Sequence, residues 1–272
     1  MELLTISAVV IAVVVAIRGT WSPCGVSMLS SITPLSESGR GNRYWATVTW
    51  FLLGAILGGA TLGTVAALGA LVVAATEVSS AASAVLVLVA ALVTVASDLG
   101  VGGFRLPANP RQVERTWLDR YRSWIYGVGF GWQLGVGVAT YVMSASVYLM
   151  VVAAAATGEP LLAMMIVTLF GFLRGLAVFP AAGVKTPADL GKVHRLIERF
   201  RPLSRTIAVV TQIGVLAAAA TVLGGAVSGM AVGVMFLIVT WILHDGLEDP
   251  APRQRRQTQP ATGLQPLSNP PS

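Results

Sequence analysis

One short segment near the start of the chain concentrates side chains that could do chemistry. It begins at Arg18, passes through Trp21-Ser-Pro-Cys24 and ends at Pro34. A charge, glycine and proline breaks and the only cysteine of the chain thus lie together in an otherwise apolar run. Such breaks survive in lipid only where protein or water satisfies the freed backbone groups. The segment is therefore the first candidate for a functional site.

Cys24 has two interpretations at this stage. A thiol beside a helix break can be a redox group, whereas a cysteine in apolar surroundings often packs as a small hydrophobic residue. With one cysteine in the chain, no internal disulfide can form. Pro23, directly before it, and Gly19 and Gly25 on either side predict a kinked or broken first helix.

Arg174 is a second charge inside an apolar run, and the sequence puts it near the centre of the fifth predicted span. An arginine at that depth costs about 2.5–3.5 kcal/mol on insertion scales, so it needs a partner or a water-filled cavity. No acidic residue lies deep in a predicted span, which leaves carbonyls, hydroxyls, water or an anion as partners. Alternatively, Arg174 lies nearer an interface and its head group reaches the lipid head groups. Arg18 has the same alternatives.

The composition places these residues in a membrane. The chain has 272 residues, of which 55% are hydrophobic and 11% charged, and its mean hydropathy is +0.75. These values exclude a soluble domain of this size. The net charge of +6 is no sign of nucleic-acid binding, because every basic residue except Arg18 and Arg174 lies in a connection or in the tail. We expect the bilayer as partner, no signal peptide, no cofactor and no metal, since neither histidine has ligands beside it.

Seven spans follow from the apolar runs, and the charges between them set the orientation. Every odd connection is basic and no even connection is, which predicts an N-terminus outside and a C-terminus in the cytoplasm of a plasma or inner membrane. An amphipathic helix over 187–201, ended near Pro202, is predicted to lie on the membrane surface. The predicted spans are 3–32, broken near its middle, then 44–75, 78–97, 124–156, 161–184, 207–223 and 226–243.

The first and fourth spans contain similar stretches. Trp21-Ser-Pro-Cys24 matches Trp132-Gln-Leu-Gly135, and each opens a group of three spans. Because three is odd, the second group must be inverted, and inverted repeats place a common site on their broken helices. The predicted fold is all-α: a transmembrane domain over 1–244 with inverted repeats at 3–98 and 124–223 and a seventh helix at 226–243, followed by a disordered cytoplasmic tail, 245–272.

Three stretches resemble the CcdA and DsbD-like family of cytochrome c biogenesis and thiol–disulfide interchange proteins. They are Ser22-Pro23-Cys24, Gly129-Phe-Gly-Trp132 and the segment 171–180, within a similarity of span order over 3–223. The resemblance implies a reversible disulfide between cysteines of spans one and four, reduced by a thioredoxin-like protein. Cys24 matches the first cysteine, but Gly135 stands near the place of the second. A relay through Cys24 would then need the thiol of a partner protein for release.

Three functions remain open from the sequence. The first is a divergent CcdA/DsbD-like protein that exchanges thiols through Cys24. The second is a small secondary transporter with an anion site at Arg18 and Arg174. The third is a non-catalytic assembly or scaffold subunit of the membrane. The candidate site residues are Cys24 as a redox thiol and, for binding or structure, Arg18, Trp21, Pro23, Trp132, Gly135 and Arg174.

Overall fold

The computed structural model describes residues 2–107, 117–138 and 144–242, and among these residues the regular structure is helical without a strand. Short 3₁₀ helices at Gly19–Trp21, Val101–Gly103 and Phe179–Gly183 interrupt the α-helices. The all-α fold predicted from the sequence is confirmed. The α-helices are α1 (Glu2–Arg18), α2 (Pro23–Ser31), α3 (Pro34–Gly39), α4 (Tyr44–Ala75), α5 (Ser80–Leu99), α6 (Trp117–Arg120), α7 (Ser123–Val136), α8 (Ser146–Ala155), α9 (Pro160–Leu176) and α10 (Pro187–Ile242).

Long apolar helices make this a multi-pass membrane protein. In the described part of the chain, five helical segments are long and apolar enough to cross a bilayer. Many of their large apolar side chains face outward, such as Leu57, Leu68 and Val72 of α4, which are more than half exposed. An outward apolar face of this kind matches lipid rather than water. The five segments are Glu2–Trp21, Tyr44–Ala75, Ser80–Leu99, Pro160–Gly183 and Pro187–Phe236.

Helix α4 is the centre of the packing, because its glycines let two other helices approach closely. A Cβ added to Gly59 would lie 2.9 Å from the Cα of Gly171 on α9, and one added to Gly135 of α7 would lie 2.8 Å from the carbonyl carbon of Ala55. Residue numbers rise together along α4 and α7 but run in opposite directions along α4 and α9. The small residues thus act as they do at other membrane helix interfaces, where backbones come into contact.

The fourth and the last predicted spans differ in detail from a single straight helix. The fourth span consists of α7 and α8, and part of the segment between them lies outside the described residues. Helix α10 continues through Pro202, where the sequence predicted an end, and reverses at Gly225, whose φ is 80°. Beyond the reversal, a Cβ on Gly233 would lie 3.4 Å from the Ala217 Cβ, so the two arms of α10 pack against each other.

The division into two inverted repeats, the boundaries drawn around them and the count of seven crossings stay predictions. The predicted tail, 245–272, lies outside the described residues. For the site, the relevant features are the break after α1, the end of α9 and the first half of α10.

Candidate functional site

The first predicted span is broken as expected, and local capping explains the break. Helix α1 has 17 residues, about 25 Å of length, which is short of the roughly 30 Å hydrocarbon core. A 3₁₀ turn follows, and Ser22 then caps a new helix: its Oγ accepts from the Gly25 N–H at 3.0 Å and donates to the Gly19 carbonyl at 2.7 Å. Pro23 occupies the first position of α2, where its missing N–H costs nothing.

Arg18 and Trp21 attach this break to α10. The Arg18 side chain is 5% exposed, and its Nη1 donates to Ser204 Oγ at 2.6 Å and to the Arg201 carbonyl at 3.3 Å. Trp21 Nε1 donates to the Ile197 carbonyl at 2.6 Å. A buried guanidinium is therefore stabilised by neutral oxygen atoms of α10 on either side of Pro202, where the sequence had predicted the end of a surface helix.

Arg174 lies in the last turn of α9, inside the apolar segment Pro160–Gly183, which continues beyond this helix through a 3₁₀ turn. It is 4% exposed, and its Nε has no hydrogen-bond partner among the described residues. Its Cζ lies 5.9 Å from the centre of the Phe170 ring. A position at the carboxyl end of a helix favours a cation, since the partial negative charge of the free carbonyls is there. This position explains how Arg174 is tolerated without an acidic partner in the described chain.

The guanidinium of Arg174 fills the space left by the missing side chain of Gly19. A Cβ built on Gly19 would lie 2.6 Å from the Arg174 Cζ and closer still to its Nη1. The break after α1 and the end of α9 are thus in direct contact. We call the residues Arg18, Gly19, Trp21 and Arg174 the arginine junction. It unites three of the site residues predicted from the sequence.

Cys24 is buried in an apolar cluster beside this junction. It is 0% exposed and belongs to a cluster with Met28, Phe51 and Phe130. Cys24 is therefore enclosed by protein directly after the break.

The structure does not bring Trp132 and Gly135 into the junction. Trp132 is 40% exposed and its Nε1 donates to Thr61 Oγ1 on α4 at 3.1 Å. Gly135 packs on the backbone of Ala55, also on α4. Both residues of the fourth span therefore serve the contact between α7 and α4.

Sequence reasoning missed two carboxylates that join helices, one half-buried and one fully buried, because it considered acids only by their distance from span centres. Asp98, near the end of α5, accepts from the Ala145 N–H at 2.7 Å and from Gln212 Nε2 at 2.6 Å, and Ser144 also donates to it. It thereby joins α5, the start of α8 and α10. A signal was present: Gln212 is a lone amide inside the apolar run of the sixth predicted span.

The second missed carboxylate is Glu37 of α3, which is 0% exposed. Its Oε2 accepts from Thr47 Oγ1 and from the Tyr126 hydroxyl, each at 2.7 Å, and its Oε1 accepts from Arg40 Nη1 at 3.1 Å. This network fixes the short helix α3 to α4 and α7. Within the described residues, no group of three His, Cys, Asp or Glu side chains could hold a metal ion.

Curated proteins similar to this chain are all named methylamine utilization protein MauF. The one from Paracoccus denitrificans is 33% identical over 180 residues, which cover 61% of this chain and 60% of that protein. The one from Paracoccus versutus is 30% identical over 162 residues, 58% of each chain, and that from Methylophilus methylotrophus 30% identical over 177 residues, 62% and 60%. The match thus spans 58–60% of the length of these relatives. No protein family model and no solved structure matches the chain.

These relatives correct the family resemblance predicted from the sequence. The chain is similar to methylamine utilization proteins and not to the CcdA and DsbD-like family, so the inferred roles in thiol–disulfide interchange and cytochrome c biogenesis are wrong. The Ser22-Pro23-Cys24 motif gave a wrong family resemblance because a helix start alone explains its residues: Ser22 caps α2, and Pro23 is the first residue of α2. The comparisons favour neither the anion transporter nor the scaffold subunit.

Proposed function

We propose that this chain is a membrane-embedded component of methylamine utilization, and that the arginine junction is the part of it most sensitive to change. The observation that carries the proposal is the similarity to MauF proteins of three genera over 58–62% of the chain. The bilayer is the environment of the protein. The proposal includes neither the thiol relay nor a thiol-bearing partner protein.

The proposed location is the plasma or inner membrane, with the N-terminus outside and the C-terminus in the cytoplasm. Support comes from the basic residues, which are concentrated in the odd connections. In this orientation the break after α1, the end of α9 and the first half of α10 lie toward the cytoplasmic side.

The charges of the arginine junction bear on the role within methylamine utilization. Methylamine is a cation at neutral pH, and Arg18 and Arg174 are buried cations of the same sign. Like charges repel strongly where water is scarce. We therefore propose that the arginine junction is not a path for protonated methylamine. The protein would contribute to methylamine utilization in the membrane without conducting this cation through the junction.

Genetic complementation tests the proposal. The full chain is expressed in a methylamine-utilizing bacterium that lacks its own MauF, and growth is measured with methylamine as the sole nitrogen source. We expect the chain to restore growth, and the Arg174→Gln variant to restore less than a tenth of it, because an uncharged amide cannot replace the guanidinium. Arg105→Gln, the same charge change at an exposed residue outside the junction, is the matched control.

Two measurements make this experiment decisive. Growth on ammonium shows whether any defect is specific to methylamine, and immunoblots of membranes show that the variants accumulate equally. Growth on methylamine that is no better with the chain than with an empty vector would contradict the proposal. Full growth of the Arg174→Gln strain would retain the role in methylamine utilization and remove the junction from it.

A further inference from the structure

A polar depression lies away from the arginine junction, where the loop after α3 meets the start of α7. Its volume is about 590 Å³, and its polar lining comes from Arg40, Asn42, Tyr121, Arg122 and Ser123. The size is in the range of sites that bind small molecules or head groups. Neither the junction nor the proposed role accounts for it.

The lining is suited to a phosphate group. Arg40 and Arg122 each bring a guanidinium, whose planar fork of N–H donors matches the oxygen atoms of a phosphate. Helix α7 begins at the depression with Ser123, and the side chain of its N-cap residue, Arg122, makes no capping hydrogen bond. The N–H groups in the first turn of this 14-residue helix have no acceptor within the helix, and they add a partial positive charge that favours an anion at the same place.

A buried network behind the depression fixes two of the lining residues. Arg40 Nη1 donates to Glu37 Oε1 at 3.1 Å and to the Ser31 carbonyl at 3.0 Å. Asn42 Nδ2 donates to the Tyr126 hydroxyl at 3.0 Å. The Glu37 carboxylate balances the charge of Arg40, so the excess positive charge comes from Arg122 and the α7 N-terminus. A lining held by hydrogen bonds loses less entropy when a ligand binds.

Exposed aromatic rings place the depression at the level of the lipid head groups. Tyr121 is 43% and Trp124 50% exposed, and the Trp124 ring centre lies 6.4 Å from that of Trp50, which is 42% exposed. Tryptophan and tyrosine are enriched at this level of membrane proteins. In the predicted orientation the depression faces the cytoplasmic leaflet, which carries anionic lipids.

We propose that this depression binds the phosphate group of an anionic phospholipid. Arg122 and the first turn of α7 contact the phosphate oxygens, Arg40 contacts them from the network side, and Trp124 packs beside the head group. The inference is independent of the role in methylamine utilization.

Native mass spectrometry of the full chain tests the site. The protein is delipidated in a neutral detergent and titrated with phosphatidylglycerol and, separately, with phosphatidylcholine. We expect preferential retention of phosphatidylglycerol, and about fivefold weaker retention in Arg122→Gln, the factor that one basic residue near a membrane surface contributes. The matched control is Arg105→Gln, which removes the same charge from an exposed residue outside the depression and should change nothing.

The outcomes test separately whether the site exists and whether its phosphate comes from a lipid. Equal retention of phosphatidylglycerol by Arg122→Gln and Arg105→Gln, in protein whose circular dichroism is unchanged, would overturn the site. Inorganic phosphate is added at constant ionic strength in a second titration. If it displaces phosphatidylglycerol at comparable concentrations, the lipid is overturned as the source and free phosphate replaces it.

Discussion

Replacement of Gly19 by alanine tests the contact between the break after α1 and the end of α9. The added Cβ would lie 2.6 Å from the Arg174 Cζ and nearer to Nη1, whereas real Cβ atoms keep at least 3.0 Å from other heavy atoms. The guanidinium must therefore move. Arg174 is 4% exposed, so this movement displaces neighbouring side chains and cannot simply turn the head group into solvent.

The expected cost follows from this overlap. Overpacking in a well-packed interior destabilises by about 1–3 kcal/mol, and the Gly19→Ala variant should fall in this range. The Arg174→Met variant removes the guanidinium but keeps an apolar stem in its place. In that background, alanine at position 19 should cost less than about 0.5 kcal/mol, so that the coupling energy between the two positions is roughly 0.5–3 kcal/mol.

Reversible unfolding in detergent, followed for the wild type, both single variants and the double variant, measures this coupling. Gly183→Ala is the control, because a Cβ at Gly183 would meet nothing within 4 Å. The reasoning is refuted if Gly19→Ala destabilises the wild type and the Arg174→Met variant by the same amount. Additive losses would mean that the two residues do not touch.

Three further predictions concern the packing outside this contact. Gly135→Ala should lower the free energy of unfolding by about 1–3 kcal/mol, because its Cβ would overlap the backbone of α4. Gly214→Ala, with open space around it, should raise the free energy of unfolding by up to about 1 kcal/mol. Thermal unfolding in detergent measures both, and equal effects would contradict the close contact of Gly135 with α4. Gln212→Leu should cost about 1–3 kcal/mol because it leaves the Asp98 carboxylate without one of its donors, and a neutral effect in urea-induced unfolding would show that the network adds no stability. Cys24, fully buried, should react with a membrane-permeant maleimide only after unfolding, and rapid labelling of the folded protein by mass spectrometry would contradict its place in the core.

Patterns that depend on local chemistry were readable from the sequence, because they do not need a partner. The break at Trp21-Ser-Pro-Cys24 follows from capping and from the missing N–H of Pro23, and the structure has a new helix starting there. The two basic residues in apolar runs, Arg18 and Arg174, were found by the cost of placing charge in lipid, and both are buried. The all-α membrane fold followed from apolar runs of sufficient length.

What could not be read was which elements meet. The Trp21 and Trp132 stretches look alike, but an indole N–H bonds to whatever acceptor lies near, and these two find α10 and α4. Asp98 looked like a residue at the end of a span, because its partner Gln212 lies 114 positions away in the sequence. The resemblance drawn from Ser22-Pro23-Cys24 failed for a related reason: a Ser-Pro pair is what any capped helix start uses, so it carries little information about family.

The two buried arginines show how a membrane protein can place cations at the ends of apolar helices. Each lies in the last turn of an apolar helix, α1 or α9, and each helix is followed by a 3₁₀ turn. The helix carbonyl ends supply negative potential at both places, and Ser204 and the Arg201 carbonyl accept hydrogen bonds from Arg18. Because Arg174 also fills the space at Gly19, neither helix end can shift without displacing a buried charge. The positions of α1 and α9 are therefore coupled through Arg174 as well as through the buried apolar side chains that the two helices share.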